Sequence, residues 1–247
     1  MSEPALRPDD PVAQAVVQAI RGGTAEELEA LLAEHPEVAG GRLVGGANAV
    51  WNGRTLLHVA TDWPGHFPDV VPKIRALVAA GADVNGGAVG GHEEMPLHWA
   101  ASSNDVDALD ALLDARADID ATGAVIGGGT PLDDAVAFGQ WQAAHRLVER
   151  GAQVKLWNAA ALGLMERVEQ EFAGATAPAE EEVTNAFWCA CHGGQRDTAE
   201  FLLERGADLD WVGYDGLTPL DAARRSGAGE LVGWLHARGA RSAAEPA

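Results

Sequence analysis

Met95-Pro96-Leu97-His98-Trp99-Ala100-Ala101, closed by Arg116-Ala117-Asp118-Ile119-Asp120, is the stretch from which the rest of the chain can be read. Proline in the first turn of a helix leaves no hydrogen bond unmade and presets φ. The two alanines let a neighbouring helix approach closely. The apolar pair Leu112-Leu113 in the second helix faces the next unit, and the position that closes the phrase is one where glycine takes a left-handed cap. The phrase recurs. Thr55-Leu56-Leu57-His58-Val59-Ala60 runs to Gly81-Ala82-Asp83-Val84-Asn85, Thr130-Pro131-Leu132-Asp133 to Gly151-Ala152, and Thr218-Pro219-Leu220-Asp221-Ala222-Ala223 to Gly239-Ala240.

The closing positions test the register. Gly81 to Arg116 and Arg116 to Gly151 are each 35 residues, Gly174 to Gly206 is 32, and Gly206 to Gly239 is 33. Only the 23 residues from Gly151 to Gly174 fall short, and a degenerate repeat through Leu156-Trp157-Asn158-Ala159-Ala160 fits there without its turn finger. A weak repeat from Val12 through Ala19-Ile20 to Leu31-Leu32 opens the series, for seven units in all. The pairs Leu31-Leu32, Leu77-Val78, Leu112-Leu113, Leu147-Val148 and Leu202-Leu203 carry the inter-unit packing.

The Thr-Pro-Leu-His-x-Ala phrase resembles the signature of the ankyrin repeat family. The resemblance covers residues 11–241, with tails at 1–10 and 242–247. It implies an all-α fold: a single ankyrin-repeat solenoid of about seven helix–turn–helix units with short β-hairpin-like fingers. No such unit buries its apolar faces alone, so stability is a sum over neighbours. The resemblance also implies a binding role for the concave groove, most often toward another protein.

Composition narrows the partners. The chain has 247 residues, 47% of them hydrophobic, and a formal net charge of −20. That field repels phosphate backbones and anionic lipid, so neither nucleic acid nor a membrane surface is an expected partner. No apolar run is long enough to span a bilayer. Acids and prolines at residues 1–10, where a secretory signal needs basic and apolar residues, point to a cytoplasmic protein. Cys189 and Cys191, two apart on a helix, point to different faces and form no disulfide with each other. No cofactor motif occurs, and the residues leave the oligomeric state open. Gly127-Gly128-Gly129 lacks the lysine of a phosphate loop and reads as a finger tip.

The departures from the repeat locate a candidate site. Asp62-Trp63-Pro64-Gly65-His66-Phe67-Pro68-Asp69 separates two helices with about four residues more than the pattern needs. By the family resemblance, the residues after the alanine pair point into the groove and the fingers form its other wall. That places Asp62 and Trp63 in the groove, His66 at its rim, Ser102 and Ser103 in the next repeat, and Arg21, Phe138, Leu162 and His192 at matching positions elsewhere. The fingers contribute Trp51, Arg54, His92, Glu93, Glu94 and residues 124–129. Aromatic side chains beside a few charges describe a recognition hot spot, and equally a small-molecule pocket.

Two functional readings result. The first is a binding protein whose groove, centred on the second and third repeats, takes a partner, most often a protein. The alternative is an enzyme or ligand-binding protein in which Asp62, His66 and His92 perform acid–base chemistry in a tryptophan-lined pocket. Their spacing matches no metal motif, and no metal site is expected. Plainer roles are expected for the rest: His58 and His98 fix turns, Trp157 and Trp188 replace that histidine and pack the core, Trp99 and Trp141 pack between helices, and Trp234 caps the core. Cys191-His192, adjacent on a helix, point about 100° apart and make no nucleophile pair. Glu180, Glu181 and Glu182 open a helix running through Cys191.

Overall fold

The capping chemistry of each repeat sets its first helix. Thr55, Thr130 and Thr218 accept the amide of the residue three places on, and His58, Asp133 and Asp221 accept the cap amide in return. Pro96, Pro131 and Pro219 occupy first helical turns, as the sequence predicts. The structure is a computed structural model that describes residues 4–45, 53–89, 93–174 and 176–244. Its fourteen helices form seven antiparallel pairs. They are α1 (Pro11–Gly22) with α2 (Ala25–Glu34), α3 (Leu56–Thr61) with α4 (Val70–Ala79), α5 (Pro96–Ser102) with α6 (Val106–Asp114), and α7 (Pro131–Ala137) with α8 (Trp141–Glu149). The series continues as α9 (Leu156–Ala161) with α10 (Met165–Ala173), α11 (Glu180–His192) with α12 (Arg196–Leu203), and α13 (Pro219–Arg225) with α14 (Gly229–Ala237).

The chain divides into two compact units, Met1–Ala152 and Gln153–Ala247. In the first unit α1, α3, α5 and α7 pack as one row, and α2, α4, α6 and α8 as a second. Ile20, Leu28, Leu57, Ile74, Leu77, Leu97, Leu109 and Leu112 lie fully buried between the rows. In the second unit α11 packs against both α9 and α13, and the core gathers Phe187, Leu202, Leu220, Leu231 and Leu235. Trp234 is buried there under the Arg238 guanidinium, 3.9 Å above its ring. Cys189 and Cys191 are free and buried, and burial pushes both thiols far up.

Each apolar pair divides its labour. Leu77, Leu112, Leu147 and Leu202 are buried, whereas Val78, Leu113, Val148 and Leu203 are only half-buried; in α2 the order reverses, with Leu32 buried and Leu31 half-buried. Gly174, the closing glycine of the degenerate repeat, is extended at φ −67°, whereas four second helices end as expected, with Gly81, Gly151, Gly206 and Gly239 at φ of 103°, 99°, 93° and 84°. Arg116 holds the same conformation at φ 71°, where a side chain is strained.

The fingers are β-hairpin-like to different degrees. Strands occur at the first finger, where β2 (Arg42–Leu43) pairs antiparallel with β3 (Arg54–Thr55). β1 (Ala5–Leu6), from the segment read as a tail, adds a parallel strand to β2 and buries Leu6. The described residues of the later fingers form no strand ladder: Ala88 N–H donates to the Glu94 carbonyl, and the third finger closes through turn bonds such as those of Gly123 N–H and Ala124 N–H to the Gly129 carbonyl. Lys73 is buried on α4 and donates to the Ile20 carbonyl at 3.0 Å in the last turn of α1, where the helix dipole welcomes a cation. Desolvation pulls its ammonium below the usual lysine range. No described helix is long and apolar enough to cross a membrane.

Candidate functional site

The signature histidines are neutral struts between consecutive repeats. His58 Nδ1 accepts the Thr55 N–H at 3.2 Å, which leaves Nε2–H to donate to the Glu94 carbonyl at 2.9 Å. Burial lowers the His58 pKa to about 4, so the ring carries no charge at neutral pH. His98 repeats the pattern with Met95 N–H and the Gly129 carbonyl. Trp188 does the same work in the second unit, donating Nε1–H to the Leu217 carbonyl at 2.8 Å. Leu217, like Glu94 and Gly129, immediately precedes the N-cap residue of the next repeat's first helix. At the degenerate repeat, Asn158 rather than Trp157 accepts the cap amide, because α9 starts one residue later. Trp157 is half-buried beside Lys155.

The loop of residues 62–69 is held in place rather than loose. Asp105, buried at the start of α6, accepts the Ala108 N–H through Oδ1 and the His66 N–H through Oδ2 at 2.6 Å. Gly65 (φ 75°) lies so close to Ser103 and Asp105 that an added Cβ would meet the Ser103 Cβ at 3.0 Å. The Trp63–Pro64 peptide is cis. Trp63 emerges from this clamped loop with 79% of its surface exposed.

Beside it lies an open depression of about 470 Å³, entirely within the first unit. Arg54, Asp62, Trp63, Glu94, Trp99, Ser102, Ser103, Val125, Phe138 and Gln140 line it. A chain of polar contacts crosses this wall. Asp62 is pinned between Arg21 Nη2 at 2.5 Å and Arg54 Nη1 at 3.2 Å. The Arg54 guanidinium stacks 4.2 Å from the Trp99 ring, and Trp99 meets His58 edge-on at 4.8 Å. Trp99 Nε1–H donates to Glu94 Oε2 at 3.1 Å, and the Val125 N–H donates to Glu94 Oε1 at 3.3 Å. The rim is apolar: Trp63, Phe138 and Val125 are exposed, as is the adjoining Ile126.

Of the residues the sequence nominates, Arg54, Asp62, Trp63, Glu94, Ser102, Ser103 and Phe138 come together here. His66 sits on the loop beyond, with Nδ1 4.0 Å from Asp105 rather than paired with Asp62. Glu93 is exposed on its finger. Trp51 and His92 lie outside the described residues. His192 belongs to the second unit, where it is buried with its ring centroid 5.6 Å from that of Trp188. Asp62 serves as the anchor of two guanidinium groups, a role the acid–base reading did not foresee.

Trp99 and Asp134 are what sequence reasoning missed. Trp99, read as packing, is only half-buried and forms a wall of the depression. The available signal was its place three residues before Ser102, on the same helical face. Asp134 occupies the equivalent position on α7 and is fully buried. Neither of its carboxyl oxygens makes a well-formed hydrogen bond among the described residues. Burial, then the neighbouring Glu94 and Asp133 carboxylates, push its pKa up to about 8. No metal-binding cluster of histidine, cysteine or carboxylate side chains occurs among the described residues.

Comparison with known proteins agrees with this architecture. A family model described as ankyrin repeats (many copies) matches residues 97–148, and one described as ankyrin repeat matches residues 184–214. The crystal structure of the human ASB11 ankyrin repeat domain is similar over 92% of this chain and 97% of that one, with a TM-score of 0.51 and 20% identity. The Ankyrin repeat and KH domain-containing protein mask-1 of Caenorhabditis elegans is 44% identical over 50 residues, which is 20% of this chain and 2% of that protein. Residues 97–148 and 184–214 match ankyrin repeats, and the fold over the chain is that of an ankyrin-repeat domain. Domains of this kind are typically protein–protein interaction modules.

Proposed function

We propose that the depression on the first unit is the recognition surface for a peptide segment of a partner protein. The carrying observation is Trp63. A tryptophan this exposed gains nothing in the free chain, yet a loop clamped by Asp105 holds it beside a depression rimmed by Phe138 and Val125. A large, rigid aromatic held in place binds with little further entropy loss, as interface anchors do. The depression is open, Asp62 is held by two arginines, and His66 lies outside its lining with Nδ1 4.0 Å from Asp105, which favours contact over turnover.

Selection from a random dodecapeptide display library against the full chain tests this reading. Enrichment should collapse when the selected pool is transferred to Trp63→Ala or Phe138→Ala proteins that remain folded. Peptides that bind both variants as well as the parent would show that recognition occurs elsewhere.

A further inference from the structure

The polar residues of the depression fall into two groups. The carboxyl oxygens are all in use: Asp62 accepts from Arg21 and Arg54, and Glu94 accepts from Trp99 Nε1–H and Val125 N–H. Two acids stand against two guanidinium groups, so this wall asks for no charge from a guest. The second group has hydrogen bonds still to give. The Ser103 hydroxyl and the Gln140 amide make no side-chain hydrogen bond among the described residues, and of the Arg54 nitrogens only Nη1 is bonded, to Asp62. All three residues line the depression, and each of them can donate. The guest that answers such a wall brings acceptors and few donors. An ordinary peptide brings one N–H with every carbonyl, and proline alone brings the carbonyl without it.

The spacing of the contacts points the same way. Trp63 follows α3, Ser103 follows α5 and Phe138 follows α7, with α5 packed against both α3 and α7. Packed helices lie about 8–10 Å apart, which sets the step from one repeat to the next. A polyproline II helix has three residues per turn and rises about 3.1 Å per residue, so one face of it returns about every 9 Å. A β-strand returns about every 6.8 Å and falls out of step after one repeat.

We infer that the depression takes a proline-rich segment of the partner in the polyproline II conformation, with prolines three residues apart on the face turned to the groove. This rests on the reading of the depression as the peptide site and names the class of peptide it holds. Proline rings pack against the exposed indole of Trp63 and the exposed ring of Phe138. Between them the carbonyls of the segment, which have no partner within a polyproline II helix, accept from Ser103, Gln140 and Arg54. An amphipathic helix has spent its carbonyls internally and would leave those donors unanswered. Both surfaces are preformed, the segment by its prolines and Trp63 by the clamp of Asp105 on the His66 N–H, so little ordering is left to pay on contact.

The dodecapeptide selection provides the probe, with the strongest binder synthesised, labelled with fluorescein and titrated by anisotropy against the full chain. Peptides enriched on the parent should share two prolines three positions apart. Replacing either proline of that binder with alanine, which restores an N–H and frees the backbone, should weaken binding about tenfold. Gln140→Met keeps the length of the side chain and removes its amide; it should weaken the proline peptide about fivefold and leave the melting temperature unchanged. Ser103→Ala serves the same purpose should the Gln140 variant fail to fold. Peptides that depend on Trp63 and Phe138 yet carry no proline pair, or that tolerate alanine at both prolines, would overturn the proline-rich guest while leaving the depression as the peptide site. Full affinity on both Gln140→Met and Ser103→Ala would overturn it as well, because the free donors would then contribute nothing. Peptides insensitive to Trp63 and Phe138, or no enrichment at all, would overturn both readings.

Discussion

The two units fill the same helical mould in opposite ways. In the second unit the residues following the strut or cap are Cys189 and Ala222, both buried, and His192 is buried beside Trp188. In the first, Val59 is buried too, but the other matching positions carry Trp99 and Asp134, and the residues that follow the helices include Trp63 and Phe138, both exposed. Trp188 and Tyr214 in the second unit pack edge to face at 5.1 Å, whereas Trp63 stands clear. Repeats share their backbone rules, so what differs between them at equivalent positions is not demanded by folding. The first unit places a buried carboxyl and free aromatic surface where the second places ordinary core.

The comparison breaks most easily in the core, where both units should behave alike. Phe187→Ala in the second unit should cost about 3–5 kcal/mol and Leu112→Ala in the first about 2–5 kcal/mol, as fully buried side chains require. Denaturant unfolding of each variant gives the values. A loss below about 0.5 kcal/mol, the range of surface substitutions, would place either residue outside the core.

Asp134 should part from them in sign. Its carboxyl titrates near 8 in the folded chain and near its ordinary 3.8 once unfolded. Between those values the folded state holds a proton that the unfolded state has released, so stability falls as pH rises from about 4 to about 8 and then levels. Asp134→Asn removes that dependence and should stabilise the chain by roughly 2–3 kcal/mol at pH 9, with little gain at pH 4. The buried His58 acts on the acid side: its pKa is depressed to about 4, so its contribution is lost as pH falls from about 6.5 toward 4. Melting curves across pH for parent and variant separate the two slopes. An Asp134→Asn protein less stable than the parent at pH 9 would mean that the aspartate has a structural partner.

The seven helix pairs were legible because their causes are local. Thr130 and Asp133 cap one another across three residues, Pro131 presets a turn, and Gly151 accepts a positive φ. The binding candidates on the 62–69 loop were legible for a related reason, since an insertion of proline and glycine interrupts a regular spacing. What escaped was long-range. That Asp62 would be held by Arg21, 41 residues earlier, depends on how α1 packs on α3, which no local pattern states. Trp99 looked like core because the position after the cap is core at Val59. Asp134 did leave a trace, an acid at a position where Val59, Cys189 and Ala222 are apolar. Its significance required knowing that neither oxygen makes a well-formed hydrogen bond among the described residues.

A smaller effect sharpens the comparison at the second-helix termini. Arg116 takes the left-handed conformation that Gly81, Gly151, Gly206 and Gly239 occupy elsewhere. Arg116→Gly should relieve about 1 kcal/mol of backbone strain, partly offset by the greater freedom of glycine in the unfolded chain. Thermal unfolding should show a melting temperature a few degrees higher. A lower one would mean that the Arg116 side chain contributes packing that exceeds the strain.

The smallest expected change in stability belongs to Trp63, and there smallness is informative. With 79% of its surface exposed, Trp63 contributes little to the free chain, so Trp63→Ala should shift stability by no more than about 0.5 kcal/mol. The loop keeps its course without the indole, because His66 N–H to Asp105 and the seating of Gly65 against Ser103 involve backbone and neighbouring atoms. Peptide affinity should nevertheless fall by about 2 kcal/mol, the loss typical of an aromatic anchor. Stability and binding come apart only if the loop is built to present a side chain rather than to bury one. A melting temperature that drops with the indole would make Trp63 a packing residue like Trp234, and the contrast between the two units would then rest on Phe138, Glu94 and Asp134 alone.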